Sequence, residues 1–303
     1  MKKYLFLLII FSAITTNAQS FAAIESPKIP EKVRFADQEI SLNRNDMYER
    51  FDRELTSLIY SHGSTLLTVK RANRYFPILS KILKENNIPT DFLYLACVES
   101  LLDTRAYSSA KAAGIWQFIP GTARSYGLEV TDYVDERYNI EKETVAACKY
   151  LKNAYDKYGN WESVAASYNA GQGRITSELQ SQMVESAYDL HLPKETARYI
   201  YRILATKVLF ENLKSFGYRI SSNQLYQPLD YEIVVVNTSV DDWQKWAKDH
   251  GINYAQLREY NPWIVAKSLP NKSGKAYDVK VPTKKGLYRQ SKPVVYDKNW
   301  VVD

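Results

Sequence analysis

Residues 92–98 form an unbroken apolar run that ends in a carboxylate, Glu99. A helix that is apolar on every side must be buried, so the rest of the chain has to pack around this one. Pro89 and Asp91 supply a plausible first helical turn ahead of it. A carboxyl group at the end of a buried helix is costly to ionise, and its pKa should rise. An acid still protonated near neutral pH is what general acid catalysis needs. Taken alone, the stretch also fits a helix that simply surfaces at Glu99.

The chain around this helix has 303 residues, 45% hydrophobic and 24% charged. That is enough apolar material for one or two cores. Residues 1–18 have a basic start, an apolar stretch and small residues up to Ala18. This is the pattern of a secretory signal peptide cleaved near Ala18, and it is too short to span a membrane. No later run is long enough for a transmembrane helix. The net charge of +6 is modest and dispersed. It favours an anionic partner, and the leader argues against nucleic acid. Cys97 and Cys148 are each set among apolar neighbours and read as buried thiols, though an exported compartment permits a disulfide. With three histidines in the chain, no metal-ligand spacing is present and neither metal nor cofactor is expected.

Periodicity and punctuation divide the chain. Residues 19–43 carry Pro27 and Pro30 and read as a flexible lead-in. Helical spacing follows over 44–60, 66–84, 89–102, 120–126, 140–158, 161–170 and 194–216, with glycines closing several segments. Residues 44–217 therefore read as one nearly all-helical domain. The polar stretch 218–230 suits a linker. Residues 231–283 read as strand, helix, helix, strand, a small α+β unit, with a C-terminal tail over 284–303. The fold class expected is mainly α with a small α+β domain behind it.

Three short segments follow Glu99-Ser100 in order: Gly114-Ile115-Trp116-Gln117-Phe118, Ser167-Tyr168-Asn169-Ala170-Gly171, and Glu195-Thr196-Ala197-Arg198-Tyr199. A glycine lets backbone approach a ligand. Gln117 offers a donor and an acceptor among apolar neighbours. Each segment alone is weak, since Tyr-Asn before glycine is usually a helix end. Together with Asp135-Glu136-Arg137-Tyr138-Asn139-Ile140, the set resembles the lytic transglycosylases of the glycoside hydrolase family 23 type. The likeness is greatest to the branch typified by membrane-bound murein transglycosylase D, and it covers roughly residues 65–215. Asn139 departs from the aspartate usual there.

The resemblance implies a lysozyme-like catalytic domain in which Glu99 is the sole catalytic acid and base. It implies that Ser108 contacts the catalytic carboxylate and substrate, and that Gly114, Gln117 and Phe118 line the glycan groove. Tyr168 would lie beside the carboxylate, Asn169 would bind sugar and Tyr199 would hydrogen-bond near Glu99. The expected reaction is cleavage of the β-1,4 bond between N-acetylmuramic acid and N-acetylglucosamine, closing a 1,6-anhydro ring. Plain hydrolysis, as in goose-type lysozymes, and a non-catalytic wall-binding protein are the alternatives. Tyr231 to Val236, Trp246, Asn261-Pro262 and Val279-Lys280-Val281-Pro282 resemble a lysin motif, a glycan-binding module. Asn237-Thr238-Ser239-Val240 replaces its usual Gly-Asp-Thr-Leu. Peptidoglycan strands are the expected partner, the expected state is a monomer, and the expected setting is the periplasm or envelope of a Gram-negative bacterium.

Overall fold

A computed structural model describes residues 25–289 and 291–303. The expected leader lies outside these residues. Ten α-helices and two two-stranded antiparallel sheets are present among them. The strands are β1 (Lys32–Phe35), β2 (Gln38–Ser41), β3 (Tyr231–Val236) and β4 (Tyr277–Pro282). The helices are α1 (Asn45–Tyr60), α2 (His62–Glu85), α3 (Phe92–Ser100), α4 (Pro120–Ser125), α5 (Ile140–Tyr158), α6 (Trp161–Ala170), α7 (Gln172–Ser181), α8 (Lys194–Glu211), α9 (Trp243–Asp249) and α10 (Tyr254–Tyr260). The expected class, mainly α with a small strand-helix-helix-strand unit, is what the chain adopts.

The apolar run becomes α3, whose Phe92, Leu95, Ala96 and Cys97 are all buried. It is surrounded by α2, α8 and the helices packed on them. Local chemistry sets the neighbouring helices. The Asn139 side chain accepts the Lys142 amide at 3.1 Å and caps α5, while Gly159, at φ +69°, ends it. Asn160 caps α6 in the same way through the Ser163 amide at 2.9 Å. Asp91 accepts the Ala36 amide and the Lys207 ammonium, each at 2.7 Å, so the start of α3 is tied to the N-terminal hairpin and to α8. Cys97 and Cys148 are buried free thiols.

Three expectations need correction. The lead-in holds the β1–β2 hairpin, whose Val33 and Phe35 enter the core, with Phe35 5.6 Å from Phe92 between ring centroids. The polar stretch 218–230 is laid along the helical unit, burying Tyr218, Ile220 and Leu225. The C-terminal tail returns to the same core and buries Trp300 between Phe76 and Phe210, at centroid distances of 5.8 and 5.4 Å. The exposed polar residues of these segments hid short apolar anchors.

A second, smaller core gathers Trp243, Ala247, Leu257, Trp263, Ile264 and Val279. Val134 of the helical unit is part of it. A bridge between Val134 and Ile264, the Asp135 amide on the Trp263 carbonyl at 2.9 Å and the Val265 amide on the Tyr133 carbonyl at 3.1 Å join the two units by backbone. Among the described residues no helix is long and apolar enough to cross a membrane.

Candidate active site

Glu99 sits in the last turn of α3 and is mostly buried. The chain reverses directly after it through Leu101 and Leu102, at φ +52° and +56°. Left-handed backbone is unfavourable for a residue with a Cβ, by roughly 1–2 kcal/mol each. Two such residues in succession mark a turn imposed by its surroundings. Leu102 is fully buried, and that apolar anchor helps hold the turn.

Tyr199, buried on α8, donates its hydroxyl to Glu99 Oε1. Arg202 lies three residues further along α8, on the same face. Burial dominates the charge state of Glu99 and pushes its pKa up to about 7; the Tyr199 hydroxyl and the Arg202 charge oppose that rise, and Glu195 adds to it. Near neutral pH this acid can both give and take a proton. Arg202 is itself bound to the buried Glu54, at 3.5 Å, alongside Arg198 at 2.6 Å. Asp103, the next carboxylate along the chain, is held by Arg71 at 3.0 Å.

The loop of residues 114–118 is fastened from below. Ser100 Oγ donates to the Ile115 carbonyl at 2.9 Å. The fully buried Glu143 accepts the Trp116 amide at 3.1 Å, and Trp116 Nε1 donates to Thr144 Oγ1 at 2.9 Å. Burial raises the Glu143 carboxyl well above the ordinary range, against the pull of the Trp116 and Ile115 amides. Tyr168 Oη donates to the Trp116 carbonyl at 2.8 Å. Burial, and then the nearby Glu99 charge, raise the Tyr168 hydroxyl far above its usual pKa, so it stays a neutral donor. Arg137, paired with Asp135 at 2.7 Å, donates to the carbonyls of Lys111 and Phe118 at 2.7 and 3.0 Å.

The structure thus brings Glu99, Tyr168, Tyr199 and the Gln117 loop together. Gln117, at φ +51°, turns its amide onto the carbonyls of Gly114 and Ala106, at 2.8 and 3.3 Å. Asn169 is exposed at the end of α6, next to Tyr168. Three residues stand elsewhere than expected. Phe118 is 3% exposed and packs on Tyr168, so it is a core residue rather than a groove wall. The close approach that Gly114 permits is to the protein itself: at φ +82°, a Cβ there would overlap the Arg137 carbonyl and the Glu143 carboxylate. Ser108 Oγ accepts the Ala112 amide at 3.1 Å and makes no bond to Glu99. Sequence reasoning missed Glu143 and Arg202, and it quoted Glu195 in a motif without giving it a part at Glu99. Only the i, i+3 spacing of Arg202 from Tyr199 offered a signal.

A mostly buried carboxyl group with its pKa pushed up to about 7 and bonded by the Tyr199 hydroxyl, carried on a helical unit with a small α+β partner, is a candidate general acid–base group. Comparison with known proteins narrows this. Residues 76–190 match the transglycosylase SLT domain, and residues 232–285 match the soluble lytic transglycosylase C-terminal LysM-like domain. The chain carries both domains and is homologous to membrane-bound lytic murein transglycosylase D of Escherichia coli (strain K12). Identity is 32% over 241 residues, covering 78% of this chain and 51% of that protein. The chain therefore spans about half the length of that relative. It is also 30% identical over 148 residues to the peptidoglycan transglycosylase gp16 of Escherichia phage T7, covering 47% of this chain and 11% of that one. Among solved structures, the 70 kDa soluble lytic transglycosylase of Escherichia coli aligns at 24% identity with a TM-score of 0.41, over 46% of this chain and 24% of that one.

Proposed function

We propose that this chain is a peptidoglycan lytic transglycosylase, with Glu99 as its single acid and base. The observation that carries the reading is the buried Glu99 with its pKa pushed up to about 7, hydrogen-bonded by Tyr199. Protonated Glu99 gives its proton to the glycosidic oxygen leaving toward N-acetylglucosamine as the bond to the muramic anomeric carbon breaks. The carboxylate so formed takes the proton of the muramic 6-hydroxyl, and that oxygen closes on the anomeric carbon. Water is not consumed, and the attached hydroxyl gains from proximity. Tyr199 favours the charged form of Glu99 by hydrogen bonding and so steadies the acid between its two steps.

Residues 44–217 serve as the catalytic unit in this reading, and residues 231–283 as a glycan-contacting module. Gln117 and Asn169 are the residues assigned to sugar contact. The leader-like residues 1–18 fit export to the periplasm or envelope of a Gram-negative bacterium.

Digestion of purified peptidoglycan followed by mass spectrometry of the soluble products tests the reaction. Anhydro-ended products, about 18 Da lighter than their hydrolytic counterparts by one water, are expected. Glu99→Gln should abolish their release, a loss of at least ~10²-fold. Reducing-end products would replace the proposal by hydrolysis. Undiminished release by Glu99→Gln would remove Glu99 from the chemistry.

A further inference from the structure

We infer that the junction between the SLT and LysM-like domains holds a carboxylate-binding subsite centred on Arg258. An open cleft of about 540 Å³ lies there. Arg105 and Tyr138 line it from the SLT side, and Tyr254, Arg258, Glu259 and Pro262 from the LysM-like side. The backbone pairing of residues 133–135 with residues 263–265 fixes the two walls relative to each other. So does the Lys280–Glu141 ion pair, at 2.7 Å.

Arg258 is half-buried on α10. Its Nη1 donates to Tyr254 Oη at 2.9 Å, and its guanidinium lies 5.7 Å from the centroid of the Tyr254 ring. Its Nε is buried without a hydrogen-bond partner. Among the described residues, no carboxylate lies within ion-pairing distance of it. The neighbouring Glu259 is engaged by Arg105, at 2.9 Å. Several other cations withdrawn from solvent have their anions, Arg137 with Asp135, Lys207 with Asp91 and Lys280 with Glu141, whereas Arg258, like Arg74, has none among the described residues. A cation removed from water without a counter-charge is electrostatically incomplete. The planar fork of guanidinium donors fits a carboxylate better than any other common anion except phosphate. The tyrosine rings around it offer apolar faces with polar tips, which suits an amphipathic ligand.

The cleft is linked to the Gln117 loop through one wall residue. Arg105 directly precedes Ala106, whose carbonyl receives the Gln117 amide. The identity of the ligand rests on the proposed substrate class. Along a peptidoglycan strand, carboxylates come from the stem peptides or, where these have been removed, from the lactyl groups of muramic acid. The subsite would hold such a group of the strand that lies in the groove.

Direct binding separates this inference from the reaction chemistry. The full-length Glu99→Gln protein would be titrated calorimetrically with three probes: stem-bearing glycan strands, amidase-stripped strands that keep lactyl carboxylates, and chitohexaose, which has no carboxylate. Adding Arg258→Met should weaken binding of stem-bearing strands roughly tenfold and leave chitohexaose unchanged. Arg258→Lys should recover part of the loss. A loss confined to stem-bearing strands assigns the stem peptide, a loss confined to stripped strands assigns the lactyl group, and a loss on both assigns a subsite that accepts either carboxylate. Arg258→Gln, which keeps a donor for Tyr254 without the charge, should reproduce the effect and guards against a packing defect in the methionine variant. Unchanged affinity for both acidic probes, an equal loss on chitohexaose, or a parent protein that binds none of the three would overturn the assignment. These affinities are read whether or not the wild-type chain forms anhydro products.

Discussion

Glu99 is held between opposing influences, and each can be removed singly. Burial raises its pKa, and the Tyr199 hydroxyl is the foremost influence lowering it. The first chemical step needs the protonated form, so activity should fall as pH rises through the Glu99 pKa. Tyr199→Phe removes a hydrogen bond that favours the charged form, so that pKa should climb further. The alkaline limb of the pH–rate profile should therefore move to higher pH, by up to about one unit, with a lower maximum where the carboxylate must act as base. Arg202→Met should move it in the same direction. Rates of product release measured from pH 5 to 9 decide the matter. A limb that stays in place, or moves to lower pH, would mean that Tyr199 does not tune Glu99.

At the scale of elements, the loop of residues 114–118 depends on α5 beneath it. Gly114 lies against Arg137 and Glu143 with no room for a Cβ and at a φ of +82°. Gly114→Ala must therefore push the loop off α5 or strain it, at an expected cost of about 3 kcal/mol or more. Thermal unfolding should show a melting point lower by several degrees, with activity lost at temperatures where the fold persists. An unchanged melting point would mean that the loop is not clamped there. The same loop shows what sequence could and could not convey. Helices α5 and α6 were legible because apolar period and capping residues agree along them, α3 because it is an unbroken apolar run, and α8 by its apolar stripe. Glu99, Tyr168 and Tyr199 were legible through the order of their motifs. Glu143 was not, because an acid in the first turn of a helix looks like an ordinary partner of the helix dipole. Only tertiary approach turns it onto the Trp116 amide. The β1–β2 hairpin was missed for a local reason. Its strands have four residues each, and its turn residues, Ala36 and Asp37, adopt φ of +48° and +67° without the Asn-Gly signature of such turns. Helix α7 was missed because Gly171 and Gly173 read as stops. Gly171, at φ +85°, ends α6 and opens α7 at once.

Across the whole molecule, the order of residues in the chain is a poor guide to which core they serve. Val134 belongs to the helical unit by sequence and to the small core by packing. Trp300 lies beyond the LysM-like domain in sequence and inside the large core in space, 2% exposed. The route back is secured by Asn73, which donates to the Val294 carbonyl at 2.9 Å and accepts the Tyr296 amide at 2.8 Å. The tail is thus part of the helical unit's foundation, and simple C-terminal truncation would confuse loss of the LysM-like domain with loss of this plug. Removing residues 284–303 alone should lower the melting temperature and uncover Phe76 and Phe210, even though both domains matched to known families remain essentially intact. Trp300→Ala isolates the effect, with an expected cost of about 3–5 kcal/mol from the lost burial and the cavity left behind. Chemical denaturation of the variant against the parent measures it. If the midpoint does not move, the tail is a passenger, and the stability of the SLT domain must come from its own helices alone.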